Sequence, residues 1–221
     1  SALIDNTTEM GGTATFTVVL DSQPTSDVSI AVSSSDTSEA TISPSSLTFG
    51  SSNYSNLQTV TVTGVDDFYD DDNVSYTITV DPSSSIASYN TMTSSTVTGS
   101  NIDNDTAAIT VGAKSGNTSE FGTTATINVT LATIPTANVS IVVTDNDSTE
   151  VSITPTTLTI TPSTWNTTNQ VTLTGQDDSD NDGNITFRIS FDNATSTDSE
   201  YNGMAPSPAY VDVINVDDYA D

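Results

Sequence analysis

A chain that spells one pattern twice, 111 residues apart, is constrained to fold as two similar bodies. Glu9, Gly11, Thr13, Ala14 and Thr15 recur as Glu120, Gly122, Thr124, Ala125 and Thr126. Leu20 and Pro24 recur as Leu131 and Pro135, and Glu39, Ile42, Pro44 and Leu47 as Glu150, Ile153, Pro155 and Leu158. Tyr54 becomes Trp165. Near the end the offset slips to 114, where Asn101-Ile102-Asp103 meets Asn215-Val216-Asp217, as a small loop insertion explains. Each copy has the size of an ordinary domain. The expected division is residues 1–105 and 106–221.

Inside each copy the apolar residues alternate. Val60 and Val62, then Tyr76, Ile78 and Val80, are separated by Thr and Ser. A period of two marks half-buried strands, and the branched Cβ of Thr suits a pleated surface. Further strands are expected at Ala2–Ile4, Thr13–Leu20, Val28–Val32, in Ala40–Phe49 on one side of the turn at Pro44, and at Thr96–Ile102. Asp81–Ser95 reads as a long Ser-rich connection. No stretch shows helical apolar spacing beyond two turns. Seven short strands per copy predict an all-β chain of two tandem β-sandwiches.

The charge balance narrows the function. The chain carries 29 acidic residues against two basic ones, Lys114 and Arg188, for a formal net charge of −27. Nucleic-acid binding is excluded, because phosphate contacts need Lys and Arg. Anionic membranes are disfavoured for the same reason, and no run of apolar residues is long enough to span a bilayer. Without Cys or His there is no disulfide, no thiolate or imidazole metal site and no imidazole base. Paired acids could serve glycoside hydrolysis, but these crowd into charged loops instead of flanking an apolar cleft, so no enzyme is expected.

Between two of the strands lie five aspartates within seven residues, Asp66, Asp67, Asp70, Asp71 and Asp72. Packed this closely they repel one another unless a cation sits among them. The pair Asp66-Asp67 with Asp71 recurs as Asp177-Asp178 with Asp182, whereas Asp70 becomes Asn181 and Asp72 becomes Gly183. A generic acidic surface gives no reason for the same three places to persist. Oxygen ligands alone favour Ca²⁺ over transition metals, and Mg²⁺ holds its own waters too firmly for a crowded carboxylate cage.

Three stretches taken in order resemble the Calx-β domain, a family known from sodium/calcium exchangers and many bacterial surface proteins. They are Glu9-Met10-Gly11-Gly12-Thr13-Ala14-Thr15-Phe16, Val60-Thr61-Val62 followed by Val65-Asp66-Asp67, and Asn101-Ile102-Asp103-Asn104-Asp105. The resemblance implies seven-stranded immunoglobulin-like sandwiches with calcium held at one pole. The ligands it implies are Glu9, Asp36, Asp66, Asp67, Asp71, Asp103 and Asp105 in the first copy. In the second they are Glu120, Asp147, Asp177, Asp178, Asp182, Asp217 and Asp218. Val74 and Ile185 stand where some members carry another acid, and Asn104 interrupts the closing acids, so one or two ions per copy are expected.

Together these features point to a calcium-stiffened structural repeat of an extracellular surface protein, part of an adhesin or a filamentous appendage. Its expected partners are calcium and neighbouring repeats or copies of itself, assembled head to tail. A different class of function is a carbohydrate-binding module stacking sugars on Tyr54 and Trp165. Frequent Asn-X-Ser/Thr sequences, Asn6, Asn73 and Asn184 among them, leave covalent glycans open.

Overall fold

The computed structural model describes residues 5–178 and 182–217. The expected opening strand at Ala2–Ile4 lies outside them. The chain forms two compact units, Ser1–Asn104 and Asp105–Asp221.

The first unit contains β1 (Thr7–Thr8), β2 (Thr13–Val18), β3 (Val28–Ser34), β4 (Ala40–Ser43), β5 (Ser46–Phe49), β6 (Gln58–Gly64), β7 (Val74–Ser84), a one-turn helix α1 (Ala87–Asn90) and β8 (Ser95–Ile102). One sheet runs β1-β8-β7-β3-β5 and the other β2-β6-β4. The second unit contains β9 (Ile109–Val111), β10 (Thr118–Ser119), β11 (Thr124–Leu131), β12 (Val139–Asp145), β13 (Val151–Thr154), β14 (Thr157–Ile160), β15 (Asn169–Gly175), β16 (Ile185–Phe191) and β17 (Tyr210–Val216). Its sheets run β10-β17-β16-β12-β14 and β13-β15-β11-β9. Each unit is an immunoglobulin-like sandwich.

Two of these strands change sheets. β4 pairs with β6 in one sheet and β5 with β3 in the other, and β13 and β14 repeat the switch. Pro44 and Pro155 stand at the crossings, where a residue without an N–H costs no ladder hydrogen bond. Among the described residues, counting each switching pair as one strand, and β9 with β10 as one split strand, gives seven per unit.

Alternation builds the cores. Val28, Ile30 and Val32 of β3 are buried while Ser29 and Ala31 are exposed, and Val139, Ile141 and Val143 of β12 repeat the pattern. Phe16, Phe49, Val60, Val62, Tyr76 and Ile78 join the first core; Ile127, Ile160, Val171, Leu173, Phe187 and Ile189 stand in the second. The stretch Asp81–Ser84, expected as loop, extends β7, because Ser83 and Ser84 pair with Ser29 and Val28. Hydroxyl side chains at a sheet edge give no apolar alternation to read. Residues 87–90 form a single helical turn, too short for a periodic signature.

Candidate metal centre

The acids converge because of the strand directions. β1 runs parallel to β8, with Thr8 beside Ile102, so Glu9 emerges next to the end of β8. The Glu9 amide donates to the Ile102 carbonyl at 3.1 Å, and Glu120 repeats this with Val216 at 3.0 Å. β6 ends at Gly64 opposite Ala40, the start of β4, which sets Asp66 and Asp67 beside Glu39. The Val65 amide donates to the Glu39 carbonyl at 3.0 Å, and Gln176 to Glu150 at the same distance.

Within each unit three carboxylates draw together: Glu39, Asp67 and Asp71 in the first, and Glu150, Asp178 and Asp182 in the second. Within each group, one oxygen from every member lies within 4.8 Å of the others. Two ligands on opposite sides of one Ca²⁺ are about 5 Å apart at ordinary Ca–O distances. The spacing and the all-oxygen donor set therefore fit calcium.

Burial sets the electrostatics. Glu39 is 5% exposed and Glu150 3%. Desolvation pushes both carboxyls up, against the hydrogen bonds from Asn101 and Asn215 that pull them down, and neighbouring aspartates push further. Desolvation likewise raises Glu9, against two hydrogen bonds from Asn104. Asp71 is pushed up to about 6, first by desolvation and then by Glu39, Asp67, Asp103 and Asp70. These sites favour a proton or a cation over bare charge.

A second layer of amides fixes the acids. Asn101 Nδ2 donates to Glu39 Oε2 at 3.3 Å and to the Val65 carbonyl at 2.9 Å. Asn215 does the same for Glu150 and Gln176, at 3.1 and 3.0 Å. Asn73 Oδ1 accepts from the Asp103 amide, and Asn184 Oδ1 from the Asp217 amide. Asp103 Oδ2 in turn accepts from the Asp71 amide at 3.2 Å, and Asp217 Oδ2 from the Gly183 amide at 2.8 Å. Asn104 ties two further acids of the first unit: its side-chain amide donates to Glu9 Oε2 at 3.0 Å and Asp66 Oδ1 at 3.1 Å. The exchange of Asp72 for Gly183 also becomes legible. Both residues are left-handed, at φ 61° and 75°, a conformation Gly adopts without strain and Asp tolerates.

The acids implied by the family resemblance divide in their placement. Asp67, Asp71, Asp178 and Asp182 join a group with a buried glutamate, and Glu9 and Asp66 share the side-chain amide of Asn104. Asp103 and Asp217 brace the loop backbone. Asp36 and Asp147 hold turns: Asp36 Oδ1 accepts from the Ser38 amide and hydroxyl, and Asp147 Oδ1 from those of Thr149. The hydrogen bonds from Ser38 hold the Asp36 carboxyl below the usual range. Glu120 is buried at 5% exposure and Asp177 is exposed; Asp218 lies outside the described residues. Sequence reasoning left Glu39 and Glu150 out of the ligand set. Their signal was available, since both keep their place in the two copies.

No family model matches the sequence, and no curated protein matches it. Solved structures are similar at a low level. CBD12 from CALX1.2 aligns at 13% identity and a TM-score of 0.38, over 89% of this chain and 79% of that one. The D00-D0 domain of intimin aligns at 14% identity and 0.31, over 98% and 99%. The S-layer protein rSbsC aligns at 16% identity and 0.32, over 85% of this chain and 20% of its own. Likeness at this level leaves the function to be argued from the chain's own acids. Tyr54 and Trp165 pack against the two cores. No helix among the described residues is long and apolar enough to cross a membrane.

Proposed function

We propose that this chain is a calcium-binding structural repeat of an extracellular surface protein, acting without catalysis. One observation carries the reading: the same triad, a buried Glu with two loop Asp, is assembled independently as Glu39-Asp67-Asp71 and Glu150-Asp178-Asp182. Three carboxylates drawn together with a desolvated member destabilise the loops that hold them. A divalent cation removes that repulsion, and the loops at each triad become fixed to the strand ends. Glu39 and Glu150 supply buried anchors, Asp67, Asp71, Asp178 and Asp182 close over the ion from the loops, and Asn101 and Asn215 orient the anchors. Binding energy is thereby converted into stiffness of each sandwich, which suits a part exposed to force outside the cell. The test is differential scanning calorimetry of chelated protein with calcium added back. A rise in Tm with calcium that magnesium at equal concentration does not match supports the reading. An identical melting curve in chelator and in millimolar calcium overturns it.

A further inference from the structure

The two units share a fold but not the chemistry on the outer face of one sheet. In the second unit, Arg188 of β16 lies opposite Asp212 of β17, and Tyr210 lies further along β17, opposite Ser190. Phe187, Ile189 and Val213, which alternate with them, are buried, so Arg188, Asp212 and Tyr210 face outward. β12 adds Val142 to this face, 42% exposed between buried Ile141 and Val143. At the matching registers the first unit has Thr77 opposite Thr98, Thr96 opposite Thr79, and Ala31 in place of Val142. Its sheet keeps the corresponding strand order with those small residues. The fold therefore does not require Arg188, Asp212, Tyr210 and Val142 where they stand.

These residues form a connected patch. The Arg188 guanidinium lies 3.7 Å from the centroid of the Tyr210 ring. Its Nε and Nη2 donate to the Asp212 carboxylate at 2.8 and 3.3 Å, which leaves Nη1 outside the pair. The hydrogen bond from Arg188 holds the Asp212 carboxyl below its usual range, and the charges of Arg188 and Lys114 lower it further. Lys114 and Arg188 are the two basic residues of a chain with a net charge of −27. The side-chain positive charge of the chain thus gathers around one face. A groove of about 430 Å³, lined in part by Asn146, Thr186, Arg188 and Asp212, opens beside the pair.

The first unit carries the complement. In the loop between β6 and β7, Phe68 is 55% exposed and Asp72 is exposed too. In the sequence of the second unit Ser179 and Gly183 take these places. We propose that the outer face of β16 and β17 docks a second copy of this chain, which seats its loop 68–72 there. Phe68 covers Val142 and the rim of Tyr210, and the Asp72 carboxylate meets Arg188 Nη1 and the Lys114 ammonium. A donor on one unit and an acceptor on the other make the contact head-to-tail, so it grows into rings or filaments instead of closing as a symmetric pair. Two copies of this charge otherwise repel, but at about 0.15 M salt that repulsion is screened beyond about 8 Å, while direct contacts persist. The contact stands apart from the metal reading, because Phe68, Asp72 and the β16–β17 face supply none of the triad ligands.

Sedimentation velocity of the intact chain at about 0.15 M salt, in calcium and again in chelator, tests the contact. The variants take the residue that the other unit carries at the same place, which keeps the sheet and the loop folded: Arg188→Thr, Tyr210→Thr and Phe68→Ser. The wild type is expected to form species larger than a dimer as its concentration rises to about 1 mM. Each variant weakens association at least about tenfold. Mixing Phe68→Ser, whose face is intact, with Arg188→Thr, whose loop is intact, restores one-to-one complexes and nothing larger. Association in either solution supports the proposal, and calcium titration of the variants, expected to match the wild type, separates it from the metal centre. A wild type that stays monomeric in both solutions overturns it, as do variants that associate like the wild type or a mixture that stays monomeric. Association lost in Arg188→Thr but kept in Phe68→Ser also overturns it, in favour of a face-to-face pair.

Discussion

Asp71→Asn separates a metal site from an ordinary acidic surface, because its effect changes sign with calcium. In chelator the Asp71 carboxyl is raised from 3.8 to about 6 by desolvation and four neighbouring acids. A shift of this size corresponds to about 3 kcal/mol at neutral pH if realised in full, and solvent screening of an exposed side chain reduces that to about 1 kcal/mol. A carboxyl raised on folding binds its proton more tightly in the folded state. Its stabilising contribution is present below pH 3.8 and is lost as pH rises through about 6. At pH 7 the wild-type charge is therefore a cost, and Asn removes it. The first unit gains about 1 kcal/mol, or about 4 to 8 °C in Tm for a domain of this size. Calcium at a hundred times its Kd stabilises the wild type by about 2.7 kcal/mol. Losing one of three charged ligands forfeits most of that gain, so the variant becomes the less stable protein. Calorimetry of both proteins in chelator and in calcium reads the two signs. A Tm raised equally in both conditions would mean plain relief of charge repulsion and would refute the reasoning.

Gly64→Ala unfolds the first unit, because the new Cβ runs into the Thr8 carbonyl oxygen and Asn101 Oδ1; circular dichroism shows the loss, and a cooperative wild-type transition contradicts it. Asn215→Ala leaves buried Glu150 without its side-chain amide donor and lowers second-unit stability by about 1 to 3 kcal/mol in urea melts, with a weaker calcium response. Arg188→Ala breaks the 2.8 Å pair with Asp212, but both side chains are nearly half exposed and screened by solvent, so the denaturant midpoint stays where it is in the wild type. In chelator the Tm rises as pH falls from 7 towards 4, because the Glu9, Glu39, Glu150 and Asp71 carboxyls are all raised; a flat profile contradicts that sign.

The β-architecture was legible because Thr and Ser alternate with branched apolar residues, and the same alternation appears as burial in β3 and β12. What failed to register was physical context. Glu39 and Glu150 look like loop acids until the pairing of β4 with β6 and of β13 with β15 buries them beside the aspartates. The family resemblance implies Asp36 and Asp147 as ligands; Asp-x-Ser and Asp-x-Thr are also turn signatures, and both carboxylates accept from the residue two places on.

Isothermal titration of calcium into chelated protein, with Glu39→Gln, Glu150→Gln and the double variant alongside, tests the metal centre most directly. The account predicts saturable calcium binding to the wild type. Each single variant removes one triad's share, and the double variant abolishes both. Heats no larger than dilution for the wild type, or equal binding by the double variant, would contradict it.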